Sequence, residues 1–242
     1  DYPFTFKDYC GPLPDYAYNV PRLKFEATLL AAAQRAGARV FEMEAKVERV
    51  GTTDKVGLTR ETLAATDNFF DGPPDLIVDA TGRARVLPKL LGISSREGGR
   101  KDTALFAHLD RTELYKDGYV HSSRLDHGWS WRIPLPGRVS LGIVIGSAHP
   151  PKFGATPEER YDNLLKQDSV LRVATAGAKR LTPVLEYTNY QLVSERLVGD
   201  GWVLVGDTAG FIDPVFSSGL LIGITSATAL FDAIRAGDAP AF

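Results

Sequence analysis

Cysteine is almost absent from this chain. Cys10 stands alone, so no disulfide can close within the chain, and the usage fits a reducing, cytoplasmic setting. Charge of one sign is lacking too: the net charge of -2 and pI of about 6.1 give no basic face for nucleic acid or an anionic membrane. No secretory leader, internal repeat or low-complexity tract is visible. The one long apolar run, Leu220 to Ile234, is interrupted by Thr225, Ser226, Thr228 and Asp232, which predicts a buried helix rather than a membrane span. No Gly-x-Gly-x-x-Gly follows a strand, so the glycine turn that opens a dinucleotide-binding βαβ unit is missing.

What is present is a globular composition, 44% hydrophobic and 24% charged over 242 residues, enough for one or two domains with a sizeable core. The organising stretch is Gly201 to Gly219. Trp202 to Val205 reads as a buried strand that ends at Gly206-Asp207, which places a carboxylate at the carboxyl edge of a sheet, where it can accept hydrogen bonds from a polyol. Beyond Ser217-Ser218-Gly219, apolar residues at 220, 224, 227, 231 and 234 mark one helical face, closed by Gly237. The start of that helix offers unpaired N–H groups to an anion or an electron-rich ring edge.

Upstream, Asp1 to Asn19 has no sustained period. Pro21 opens a helix with Phe25, Leu29, Ala32, Ala33 and Ala36 on one face and Gly37 at its end, followed by a strand at Arg39 to Phe41. Arg22, at the helix start, has the planar donor fork suited to phosphate or ribityl oxygens. Strands are expected at 45–51 and 55–60. A buried strand then runs from Asp75 into Asp79-Ala-Thr81-Gly82, where a glycine lets a ligand approach the backbone.

From Thr103 the pattern alternates. Strands at 104–109, 129–135 and 139–145, the last two joined at Pro136-Gly137, predict an antiparallel sheet, and Pro157 to Lys166 a short helix. In Gly128-Trp-Ser-Trp-Arg-Ile-Pro134 the two indoles of Trp129 and Trp131 fall on one face of a strand, a large and water-excluding surface.

These stretches resemble the flavin-dependent halogenases, within the FAD-dependent monooxygenases. Gly206-Asp-Thr-Ala-Gly-Phe-Ile-Asp-Pro-Val-Phe-Ser-Ser-Gly219 is similar to their second flavin-contacting motif, Asp79 to Arg83 to the shared FAD motif, and Trp129 to Pro134 to the Trp-x-Trp-x-Ile-Pro signature. The segment from Arg22 to Val40 is similar to one that places an arginine near FAD, and Thr5-Phe6-Lys7 to the segment carrying the active-site lysine. The resemblance implies an α/β, hydroxylase-like FAD-binding fold, incomplete at its amino end, with FAD-binding parts at 1–96 and 187–242 around an antiparallel substrate sheet at 97–186.

As cofactor contacts it implies Arg22, Thr81, Gly82, Gly206, Asp207, Gly210, Phe211, Asp213 and Pro214; for halide, Ser218 and Gly219; for chemistry, Lys7, Trp129 and Trp131. Reduced FAD from a separate flavin reductase, dioxygen and chloride or bromide would then halogenate an electron-rich aromatic. Phe216 stands where tryptophan halogenases carry a glutamate, which points to phenol- or pyrrole-type substrates, including ones tethered to a carrier protein. A monooxygenase or geranylgeranyl-reductase-like enzyme without halide chemistry is the alternative. A two-histidine iron site at His108 and Asp110 with His121, His127 or His149 is a third reading, and a flavoprotein fragment without cofactor a fourth; the leading reading needs no metal.

Overall fold

The computed structural model describes residues 14, 16–67, 69–114, 118–188, 191–213, 215 and 217–237. Lys7, Pro214 and Phe216 lie outside them. The fold is mixed α/β, in two compact units: one takes in the chain up to Arg39 together with Thr103–Tyr187, the other Val40–Asp102 together with the chain from Thr188.

In the first unit, Arg22–Arg35 (α1) starts after Pro21 and stops at Ala36, with Gly37 at φ +100°. None of its residues is buried. In the second, Val47–Arg49 (β1) and Val56–Leu58 (β2) form an antiparallel pair. Arg60–Ala65 (α2) follows, capped by the Thr59 side chain on Thr62 N. The expected strand at Arg39 to Phe41 is irregular backbone instead. The Phe41 carbonyl accepts from Met43 N in a local turn, and its ring packs on Phe69 at 5.6 Å between centroids, so these residues join no ladder.

Ile77–Asp79 (β3), Val86–Leu91 (α3) and Ser95–Glu97 (β4) complete the first half of this unit.

The chain then builds the five-stranded sheet of the first unit: Asp102–Leu109 (β5), His121–Leu125 (β6), Gly128–Leu135 (β7), Arg138–Gly146 (β8) and, after Pro157–Gln167 (α4) and Ser169–Ala174 (α5), Leu185–Thr188 (β9). The order is β6-β7-β8-β5-β9, with β7 antiparallel to both β6 and β8. One face packs Leu105, Leu109, Leu141, Ile143 and Ile145 against Tyr161 and Leu164 of α4 and Leu171 of α5. Tyr161 is fully buried and donates its hydroxyl to the Leu141 carbonyl at 3.1 Å. α4 is started by a capping box between Thr156 and Glu159.

The remaining elements return to the second unit: Leu192–Ser194 (β10), Val198–Gly199 (β11), Trp202–Leu204 (β12), Gly210–Phe211 (β13) and Gly219–Ala236 (α6). β12 lies between β11 and β3 and runs parallel to β3, while β10 joins β13 to β4. A small core gathers Val56, Leu87, Leu91, Trp202 and Leu204.

α6 departs from the sequence reading. No residue of it is buried, and Ile224, Phe231 and Ile234, on the face expected inside, are exposed. Of that face only Leu220 is half-buried; the rest of the half-buried side is Gly219, Ile222, Gly223, Ser226, Leu230 and Ala233. The helix is apolar almost all round, so periodicity cannot choose a face; small residues do. Gly223 lets the Gly206 backbone come close, and the Ser226 hydroxyl accepts from Gly206 N at 3.0 Å. By length and hydropathy alone α6 is long enough to cross a membrane, a test that core helices also pass.

Candidate functional site

Because β3 and β12 are parallel neighbours, their carboxyl ends open at the same edge of the sheet, where α/β folds bind ligands. β3 runs out into Asp79-Ala-Thr-Gly82 and β12 into the single-turn Gly206–Thr208. Gly82 and Gly206 both take positive φ, +59° and +57°, which a side chain would resist. Asp207 sits between two glycines: a Cβ on Gly82 would lie 3.9 Å from its Cβ, and one on Gly219 3.9 Å from its Oδ1. Thus Gly82, Gly206, Asp207 and Gly219 come together, from segments far apart in sequence.

Ser218 is the N-cap of α6 and makes no side-chain capping bond. The first turn of an 18-residue helix, whose amides have no partner within the helix, thus begins beside the Asp207 carboxylate. Ser217, just before, holds φ +54°, a strained value for a side-chain-bearing residue. Gly210 and Phe211 form β13, on β10 rather than on the β3–β12 edge. Asp213 fixes the approach to α6, its Oδ1 accepting from Val215 N at 2.9 Å and its Oδ2 from Gln191 Nε2 at 3.1 Å.

The residue that binds this edge together stands in the sequence only as the first of the Asp79 to Arg83 motif, without a role of its own. Asp79 is 3% exposed, and its carboxylate takes Thr81 N at 2.9 Å, Thr81 Oγ1 at 2.6 Å and Leu87 N at 2.7 Å, with the fully buried Thr208 hydroxyl at 3.4 Å. Thr208 Oγ1 also lies 3.2 Å from the Gly82 carbonyl. Thr81 is therefore committed to shaping the turn. Arg85, 9% exposed at φ +49°, has a buried Nη1 without a hydrogen-bond partner. Burial lowers its pKa and the Asp79 charge opposes that shift.

Arg22, in the other unit, gives Nε and Nη2 to Glu26 Oε1 at 2.9 and 2.6 Å along exposed α1.

The tryptophan pair occupies β7. Trp129 and Trp131 share one face, as a period of two requires, with centroids 5.6 Å apart and planes at 45°. That face is the one away from α4 and α5. Ser130 and Arg132, opposite Ile143 and Leu141 in the register, take the helix side. A core strand would do the reverse. The half-exposed row continues through Phe106, 5.9 Å from Trp131, to Tyr187, 5.6 Å further.

Turning Arg132 inward has a cost. The side chain is 8% exposed, gives Nη1 to the Glu113 carbonyl at 2.8 Å and Nη2 to Ser123 Oγ at 3.1 Å, and leaves Nε without a partner. Burial first, and Arg132 second, lower the pKa of His121; burial and Arg138 do the same to His108. In the unfolded chain both titrate near 6.5, so between that value and the lower folded ones the unfolded state binds more protons and stability rises with pH. Acidification below about pH 6.5 should destabilise the sheet unit. A His121→Gln substitution should flatten that slope in thermal melts taken at successive pH values; an unchanged slope in both His121→Gln and His108→Gln would refute this.

Among the described residues no group of three or more His, Cys, Asp or Glu is placed to hold a metal, so His108, Asp110, His121, His127 and His149 do not assemble the iron site considered above. His127 and His149 do stack, at 5.4 Å. Two cavities, about 490 Å³ beside Lys152 and Arg160 and about 230 Å³ beside His127 and Asp168, open around α4; neither is lined by a residue expected to contact flavin or halide.

The β3–β12 edge suits the polyol and ring edge of a flavin. It offers bare glycine backbone, a carboxylate for hydroxyl groups and the amide end of a helix for an electron-rich edge.

The comparisons agree. A family model described as tryptophan halogenase matches residues 10–239. The chain is 28% identical over 230 residues to the 1H-pyrrole-2-carbonyl-[peptidyl-carrier protein] chlorinase of Pseudomonas fluorescens, covering 88% of this chain and 49% of that protein. It is 32% identical over 232 residues to the tryptophan 2-halogenase of Chondromyces crocatus, covering 88% and 42%. Among solved structures, the myxobacterial chondrochloren halogenase superposes with a TM-score of 0.76 at 24% identity, over 92% of this chain and 54% of that one. The chain thus spans about half the length of these curated relatives. On a family match that runs nearly end to end, this chain belongs to the tryptophan halogenase family of FAD-dependent halogenases.

Proposed function

We propose that this chain is the flavin-binding and substrate-sheet portion of an FAD-dependent halogenase acting on an electron-rich aromatic of phenol or pyrrole type. The observation that carries this reading is the inverted β7, which turns Arg132 into the packed side and puts the half-buried Trp129 and Trp131 together on the opposite face. A monooxygenase has no need of such a wall, whereas an enzyme that must hold its organic substrate back while admitting a small halide does.

When bound, reduced FAD supplies the activation of dioxygen. The chain's own residues do the rest: Asp207 accepts from ribityl hydroxyls, Gly82 and Gly206 let the cofactor approach, and the uncapped amides of α6 at Ser218 and Gly219 hold chloride or bromide. Gly210, Phe211 and Asp213 shape the segment leading there, Pro214 is a further cofactor contact, Arg22 serves the phosphate side, and Lys7 carries the activated halogen to the substrate. On the same reading 1–96 and 187–242 are the flavin-binding parts and 97–186 the substrate sheet. The protein works in the cytoplasm beside a separate flavin reductase. The carrier-tethered pyrrole named for the Pseudomonas relative and the loss of glutamate at Phe216 support a tethered substrate.

The test is incubation with chemically reduced FAD, oxygen and bromide, offering a phenolic probe, a pyrrolyl carrier protein and free tryptophan in parallel. Brominated phenol or pyrrole is the expected product. Hydroxylation without bromination would overturn the halogenase reading, and bromination of free tryptophan alone would overturn the substrate class.

A further inference from the structure

Trp131 does not stand up from its strand. In the β7–β8 register it faces Gly142, and a Cβ at Gly142 would fall 2.0 Å from Cζ2 and 2.2 Å from both Cε2 and Cη2 of the indole. The ring therefore lies flat over the Gly142 backbone, on the only residue type that leaves space for it. Its Nε1–H reaches the diagonal neighbour on β8 and donates to Ser140 Oγ at 3.2 Å. The ring also packs on Phe106 of β5, at 5.9 Å between centroids. Position, polar anchor and ring contact thus come from three residues on two strands, none within the tryptophan motif itself.

We infer that Gly142 and Ser140 are positioning residues for Trp131, which fix the plane of its indole across the sheet and thereby set the geometry of the Trp129–Trp131 pair. Gly142 is not there for a turn: its backbone is extended within β8, where glycine is otherwise unfavourable. An aromatic laid over a cross-strand glycine compensates for that weakness and covers the exposed ladder. The consequence for halogenation rests on the function proposed above, but the placement of the ring does not, and the two are tested separately.

Two indoles held at a fixed tilt and short distance produce an exciton couplet in far-ultraviolet circular dichroism, and the couplet vanishes when either ring is removed or turned. Trp129→Phe defines its loss. Gly142→Ala is expected to lose most of the couplet and to lower the melting midpoint of the sheet unit by about 3–10 °C, since a methyl must displace the ring. Ser140→Ala should weaken the couplet with a melting shift below about 3 °C, which a purely structural role would not produce. With the ring gone in Trp131→Ala, adding Gly142→Ala should cost nothing.

A Gly142→Ala protein that keeps both couplet and midpoint would overturn the assignment. If Gly142→Ala alone fails to fold, the double variant decides: folding as well as Trp131→Ala supports the seat, and failing with it refutes the seat. An unchanged couplet in Ser140→Ala removes Ser140 from the assignment. None of these measurements uses flavin or halide, so an absence of bromination leaves them intact.

Discussion

Replacing Trp202 with alanine should remove about 3–5 kcal/mol from the stability of the β3–β12 unit, the larger share of what a small core can supply. Trp202 is fully buried and is the largest such side chain among the described residues. Its ring lies over Gly199, its cross-strand partner on β11, where a Cβ would come within 2.4 Å of the indole. Its Nε1–H donates to the Asp54 carbonyl at 3.0 Å, and the Arg196 guanidinium stands 5.0 Å above the ring while also pairing with Asp54. One side chain therefore fills the core, ties β12 to the β1–β2 loop and seats a cation. Trp202→Phe keeps an aromatic ring but gives up part of the indole's volume and leaves the Asp54 carbonyl without its donor, an expected cost of about 1–3 kcal/mol. Hydrogen exchange at Ile77 and Leu204, whose amides bond Gly201 and Leu197, reads this unit directly. Trp202→Ala with unchanged protection there would refute the prediction.

The same device thus appears in both units, an indole laid on a cross-strand glycine: Trp202 on Gly199 and Trp131 on Gly142. Neither pairing was legible in the sequence. Alternation shows that Trp129 and Trp131 share a face, but not which face packs. That choice is made by Leu141 and Ile143 of β8, which bind the helix layer and carry Ser130 and Arg132 with them. The strand at Trp202, its end at Gly206-Asp207 and the helix stop at Gly237 were legible, because glycines punctuate a short apolar run. The buried face of α6 was not, because leucine, isoleucine and phenylalanine fall on several sides of it and the contact is chosen by Gly223 and Ser226.

Site residues follow the same division. The 14-residue stretch from Gly206 to Gly219 declares itself by order and type. The motif that Asp79 opens is visible too, but the role of Asp79 is not, since it depends on β3 lying beside β12, with its Thr208 contact 129 residues away.

Asp79 carries the second large effect. Its removal in Asp79→Ala strands the amides of Thr81 and Leu87 and the hydroxyl of Thr81, all gathered on one buried carboxylate, while the Thr208 hydroxyl keeps the Gly82 carbonyl as acceptor. It also leaves Arg85, 9% exposed, without the negative charge that offsets its burial. Each orphaned buried donor costs about 1–3 kcal/mol, so with several stranded at once the expected loss is about 3–5 kcal/mol after the turn relaxes and water enters. Asp79→Asn preserves shape and one acceptor oxygen, but its NH₂ must face either the Leu87 amide or the Thr81 donors, so an intermediate loss of about 1–3 kcal/mol is expected. Because Asp79 holds Gly82 and Thr208 in one network, the turn that faces Asp207 should loosen before the core does. Hydrogen exchange should then show Thr81 and Leu87 losing protection in Asp79→Asn while Leu204 keeps most of its own. Equal loss at all three amides would mean that Asp79 supports the unit as a whole rather than the ligand edge, and unchanged exchange at Leu87 would refute its role altogether.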